Sequence, residues 1–127
     1  MSQKILIADD QLYIRVLLEQ TLEDLEDAGA ELMVASDGLE AWAIVQAERP
    51  ALVILDLMMP GLSGYQVCER IKSHPDLVNT YVIMLTAKGQ GIDRQRSVKV
   101  KADEYITKPF DPDFLLGRAA AALGIQV

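Results

Sequence analysis

Apolar residues along this chain follow two rhythms. Five short stretches are close to continuously apolar: residues 4–8, 31–35, 51–55, 81–85 and 104–107. Runs of this length bounded by turn formers read as strands. The most apolar, Ala51-Leu52-Val53-Ile54-Leu55 between Pro50 and Pro60, reads as a strand buried on both faces. Between these runs the apolar spacing widens to three and four residues, the period of a helix face. Residues 11–28 place Leu12, Val16, Leu18, Leu22 and Leu25 on such a face, with Gly29 as the stop. Residues 39–48 turn Trp42 and Val45 inward, and residues 64–72 do so with Val67, Cys68 and Ile71. The last helix, 111–123, has Asp111 as N-cap, Pro112 at its first position, and Phe114, Leu115, Ala119 and Ala122 on its apolar face. A helix over 91–101 has the least support: Ile92, Val98 and Val100 are scattered among polar and charged residues.

Five strands alternating with five helices predict an α/β fold, a parallel sheet with helices on both faces. Right-handed crossovers leave few strand orders. In the doubly wound order 2-1-3-4-5 the switch point lies between the first and third strands, where open α/β sheets place their ligands.

Composition narrows the function classes. Nineteen acidic against 12 basic residues give a net charge of −7, which counts against direct nucleic-acid binding, a process driven by Lys and Arg neutralising phosphates. Cys68 is the one cysteine, so no internal disulfide forms and a reducing compartment fits. No apolar run approaches the roughly 18 residues a membrane span needs. Met1-Ser2-Gln3-Lys4 leads into too short an apolar stretch for a signal peptide. The expectation is a cytoplasmic protein with no membrane partner, residues 1–127 forming a single domain.

The candidate chemistry sits at strand ends. Asp9 and Asp10 follow the first strand, and Asp56 closes the third. Thr86 ends the fourth and Lys108 follows the fifth. Singly, each has an ordinary explanation: a helix-start acid, a turn-forming Thr, a solvated Lys. Jointly, they deliver acids, a hydroxyl and a cation to one sheet edge. Converging carboxylates raise one another's pKa unless a cation neutralises them. A hard divalent ion held by carboxylates, a carbonyl and waters suits them. A carboxylate nucleophile with a metal, a lysine and a hydroxyl has the parts needed to stabilise a transferring phosphoryl group.

With Asp9-Asp10, the stretch DLMMPGLSG (56–64), Thr86-Ala87 and YITKPF (105–110), the chain resembles a response-regulator receiver domain of two-component signalling, CheY-like, over essentially its whole length. The resemblance implies a (βα)5 flavodoxin-like fold with strand order 2-1-3-4-5. It implies that Asp56 is the phosphoacceptor, taking a phosphoryl group from a phosphohistidine on a sensor kinase or phosphotransfer protein. Asp9, Asp10, Asp56 and the backbone carbonyl of Met58 would hold Mg²⁺. Thr86 and Lys108 would bond the phosphoryl oxygens, Ala87 would leave room for them, and the Lys108–Pro109 peptide would be cis. Tyr105 would turn its ring inward as the switch. The output surface would comprise the helix at 91–101, the fifth strand and the last helix, acting on a downstream protein. Such a protein catalyses only its own phosphorylation and dephosphorylation. With residue 127 about one turn past the last helix, no DNA-binding module is expected to follow.

Two positions depart from the family pattern: Lys101 stands where glycine is usual before Ala102-Asp103, and Gln95 where an aliphatic is usual. A short, shifted or mobile segment at 91–101 is therefore expected. A phosphatase with an Asp nucleophile would want a second acid at position 58, which is Met58. A flavin or nucleotide carrier would want a Gly/Ser/Thr-rich loop after the first strand, where Asp9-Asp10 would repel phosphate. The alternative is a phosphorylation-independent docking module. His74 is read as an inert loop residue, and Cys68 as core.

Overall fold

The computed structural model describes residues 3–87 and 101–127. Each apolar run becomes a strand: β1 Lys4–Ala8, β2 Glu31–Ala35, β3 Leu52–Asp56, β4 Tyr81–Ala87 and β5 Glu104–Lys108. They form one parallel sheet in the order β2-β1-β3-β4-β5, the doubly wound order expected. Strand β4 continues two residues beyond the predicted 81–85. Thr86 and Ala87 pair with Thr107 and Lys108, so the sheet itself carries these residues to its edge.

The described helices are α1 Leu12–Thr21, α2 Glu23–Asp27, α3 Gly38–Glu48, α4 Gly64–Ser73 and α5 Pro112–Leu123. Their starts follow local chemistry. Asp37 accepts the Glu40 N–H at 2.8 Å to open α3. A capping box opens α4: Ser63 Oγ accepts from the Gln66 N–H, and Gln66 Oε1 accepts from the Ser63 N–H. Asp111 caps α5 with Pro112 in its first turn. The predicted helix at 91–101 falls outside the described residues except at its end. There Lys101 adopts φ 55°, the left-handed conformation that glycine ordinarily supplies.

The single helix expected over 11–28 is two. Leu22 breaks it with φ −97° and ψ 8°. The acids Glu23, Asp24 and Glu26, unfavourable at the carboxyl end of one long helix, become the first turn of a new one, where the helix dipole favours them. Its buried face also differs. Ile14, Leu18, Leu22 and Leu25 are buried, whereas Leu12 is 66 % and Val16 42 % exposed. The spacing 14-18-22-25 is the inward stripe, and Leu12 and Val16 lie round the helix from it. Phe114, expected inward on α5, is also exposed; Leu115, Ala119, Ala120 and Leu123 fill that interface. Trp42 is half-buried against the core, with the Arg70 guanidinium 5.7 Å from its ring centre.

Side-chain alternation along the strands divides the core in two. Leu6, Ala8, Val53, Leu55, Val82 and Met84 pack toward α3 and α4. Ile5, Ile7, Leu52, Ile54, Ile83, Leu85 and Ile106 pack toward α1 and α5. Cys68 is buried in the first of these clusters, and burial pushes its thiol up to about 12. The start of α4 presses close on β3: a Cβ at Gly64 would collide with the Asp56 carbonyl oxygen, the Met84 sulfur and Leu57. Glycine there lets the helix begin against the strand end that carries Asp56.

Candidate functional site

The period-two pattern decides which strand-end residues meet. Asp9 continues the parity of Ile5 and Ile7, Asp56 that of Leu52 and Ile54, Ala87 that of Ile83 and Leu85, and Lys108 that of Ile106. All four therefore emerge on the α1 and α5 side of one edge. Asp10, Asp56, Met58, Ala87 and Lys108 line a cleft of about 550 Å³ there, with Gln11, Tyr13, Ile14, Leu17, Pro109 and Phe110. The Lys108–Pro109 peptide at its rim is cis, as expected.

Asp9, Asp10 and Asp56 each bring a carboxylate oxygen within 4.8 Å of those of the other two. Asp9 is fully buried and Asp56 nearly so, while Asp10 is exposed. Buried carboxylates need partners. Lys108 supplies them: its Nζ lies 3.3 Å from Asp9 Oδ2 and 3.2 Å from Asp56 Oδ1. Burial raises the Asp56 pKa, the Asp9 charge raises it further, and Lys108 with the Met58 N–H pull it back; the balance is about 6. Burial pulls the Lys108 pKa down, but the Asp56 and Asp9 carboxylates outweigh that and leave it above its ordinary value. Above about pH 6 Asp56 is a carboxylate facing the Lys108 ammonium.

These residues fit a hard divalent cation. Three convergent carboxylates against one ammonium leave net negative charge, and oxygen donors of this kind select Mg²⁺-like ions over softer metals. Thr86 and Tyr105 take the other parity. Thr86 is buried at the same edge but does not line the cleft. It pairs with Thr107, and Met84, two residues earlier, pairs with Tyr105. Both side chains thus lie on the α3 and α4 side, where Tyr105 is half-buried against the core.

Several contributors were not singled out from sequence. Arg15 Nη1 donates to the Asp9 backbone carbonyl at 2.7 Å. Tyr13 and Leu17 form one wall of the cleft and, with Leu12 and Val16, an apolar groove along α1. The 3.6-residue pattern could have flagged these exposed apolar side chains as a second stripe. No sequence signal announces the Arg15 contact, which depends on how α1 folds back over the end of β1.

Comparison with known proteins agrees with this geometry. Residues 5–120 match the model of the response regulator receiver domain. The transcriptional regulator ycf27 of Cyanophora paradoxa, a probable one by its description, is 43 % identical over 122 residues, 96 % of this chain and 48 % of its own length. The chain spans about half the length of the curated relatives it matches. Among solved structures, the signal receiver domain of a DNA-binding response regulator from Colwellia psychrerythraea superposes with a TM-score of 0.85 at 31 % identity, covering 97 % of this chain and 99 % of that one. The chemotaxis response regulator CheY4 of Vibrio cholerae gives 0.81 at 30 %, covering 96 % and 99 %.

Proposed function

The chain belongs to the response regulator receiver domain family, and on that premise we propose that it is a phosphoacceptor switch charged at Asp56. The observation that carries this is Lys108 bridging Asp9 and Asp56 inside a cluster of three carboxylates. Two buried acids sharing one lysine, with a third acid at the rim, are an expensive arrangement for structure alone. It suits a site that receives a phosphoryl group.

Asp56 is the nucleophile. With a pKa of about 6 it is ionised at neutral pH. One carboxylate oxygen attacks the phosphorus of a phosphohistidine on a donor protein. The P–O bond forms as the P–N bond breaks, and the imidazole leaves with the electron pair. Asp9, Asp10, Asp56 and the Met58 carbonyl would hold Mg²⁺, which when bound supplies positive charge that screens the approach of two anions. Lys108 then pairs with a phosphoryl oxygen in place of a carboxylate, and Ala87 leaves space beside it. Water attacking the phosphorus at the same site breaks the P–O bond to Asp56, releases inorganic phosphate and restores the carboxylate, so the chain catalyses only its own phosphorylation and dephosphorylation.

The new charge draws Thr86 and Lys108 toward the phosphoryl oxygens. Movement of Thr86 frees or fills space on the side of the sheet that Tyr105 shares, biasing a two-state surface at β5 and α5 toward a protein target. The longer relatives named as transcriptional regulators support an output on transcription. The charge of −7 supports reaching it through other protein segments or partners rather than DNA contact by these residues.

The test is incubation with Mg²⁺ and a small phosphodonor, followed by intact-mass measurement. One added phosphoryl group, abolished by Asp56→Asn or by chelation, is expected. No gain with several donors would favour a docking module that works without phosphorylation.

A further inference from the structure

Asp9 and Asp10 are adjacent in sequence and opposite in restraint. Every polar handle of Asp9 is engaged. Its N–H donates to the Ala35 carbonyl at 3.2 Å. Its Oδ1 accepts the Gln11 N–H at 2.9 Å, and its Oδ2 accepts from Lys108 at 3.3 Å. Its carbonyl accepts from Arg15 Nη1 at 2.7 Å. Asp10 is exposed, and among the described residues its carboxylate has no hydrogen bond or ion pair. What locates Asp10 is its backbone.

We propose that Arg15 is a positioning residue for the divalent-cation site, acting through the Asp9–Asp10 peptide. The inference rests on the phosphoacceptor function above. The Asp9 carbonyl and the Asp10 N–H belong to one planar unit that rotates as a body. A charge-assisted bond of 2.7 Å holds the carbonyl end, so it also fixes where the Asp10 Cα, and hence its carboxylate, begins. Without Arg15 the carbonyl of a fully buried residue loses a strong donor. The peptide then turns in search of another and carries Asp10 with it. Arg15 stands in the first turns of α1, so the tie also locks that helix to the acid cluster.

A second effect of Arg15 has the opposite sign. Its guanidinium is a cation bonded to the backbone of one member of the acid cluster, and charge alone would repel a divalent ion. Removing it therefore tightens metal binding if charge dominates and weakens it if position dominates. Groups that orient metal ligands typically change affinity tenfold to a hundredfold when removed, and position is expected to win here because, among the described residues, no side-chain partner restrains Asp10.

The experiment is calorimetric titration of Mg²⁺ into the full chain and into Arg15→Lys, Arg15→Gln and Arg15→Met, with amide spectra of Asp10 and Gln11 recorded alongside. Arg15→Met is expected to bind Mg²⁺ roughly tenfold to a hundredfold more weakly, with shifted Asp10 and Gln11 amides. Arg15→Lys, which keeps a cationic donor, is expected to recover most of the loss, and Arg15→Gln to fall between. Equal or tighter binding by Arg15→Met or Arg15→Gln overturns the proposal, as does Arg15→Lys as weak as Arg15→Met. Should Arg15→Met not fold, the Lys and Gln variants decide it by the same comparison. A wild-type chain that binds Mg²⁺ and takes a phosphoryl group while Arg15→Met binds Mg²⁺ equally well overturns this inference alone. A wild-type chain that binds no Mg²⁺ overturns the phosphoacceptor function and this inference with it.

Discussion

Asp56 is only 5 % exposed, yet it stands beside Asp9, a second buried acid. Its pKa rises from the ordinary 3.8 to about 6, burial being the largest cause and Asp9 the next. Between those values the folded chain binds a proton that the unfolded chain has released. Stability contributed by this group is therefore greatest below about pH 4 and is lost as the pH rises through 6. The loss is on the order of 2–3 kcal/mol. In chelator, Asp56→Asn is thus expected to be more stable than the wild type at pH 7.5, with the gap closing toward pH 4. Denaturant titration at the two pH values checks this, and a gap that widens on acidification would contradict it. At this scale much was legible beforehand. Asp9, Asp10, Asp56 and Lys108 are strand-end residues, and strand ends in a parallel sheet converge. What was not legible was that β4 runs on through Thr86 and Ala87, which carries the strand's alternation to both residues. Thr86 lies one residue before Ala87, and that single step turns it to the opposite face of the sheet, with Tyr105, while Ala87 lines the cleft.

At the scale of elements, strands were easier to read than helices. A continuous apolar run has one interpretation in a sheet covered on both faces. A helix offers several stripes, and α1 carries two, one buried through Ile14 and Leu18 and one exposed through Leu12, Tyr13, Val16 and Leu17. Counting apolar spacings alone merged them. The break at Leu22 was foreshadowed by the run of acids after it, which sits poorly at a helix carboxyl end and well at a new amino end. Lys101 shows the same logic at a turn. The sequence departs from glycine there, but the backbone still takes φ 55°. A lysine in that conformation costs roughly 1–2 kcal/mol, partly offset by the extra freedom glycine has when unfolded. Lys101→Gly is expected to stabilise the chain by about 0.5–1 kcal/mol. A shift of the denaturant midpoint to lower concentration would contradict that conformational assignment.

For the molecule as a whole, the sheet order β2-β1-β3-β4-β5 puts β1 beside β3 and gathers residues nearly a hundred positions apart around one cleft. That order was legible because alternation and right-handed crossovers leave few choices and the strand-end motifs match a receiver domain. The tie from Arg15 to the end of β1 was not, because it depends on the angle at which α1 returns across the sheet. The measurement that tests the phosphoacceptor assignment most directly is chemical mapping of the charged residue. After treatment with Mg²⁺ and a phosphodonor, borohydride reduces an aspartyl phosphate to homoserine, and peptide sequencing by mass locates it. The expected result is homoserine at position 56 and at neither 9 nor 10. Homoserine at Asp9 or Asp10, or a phosphoryl group retained on His74, would contradict the assignment of Asp56.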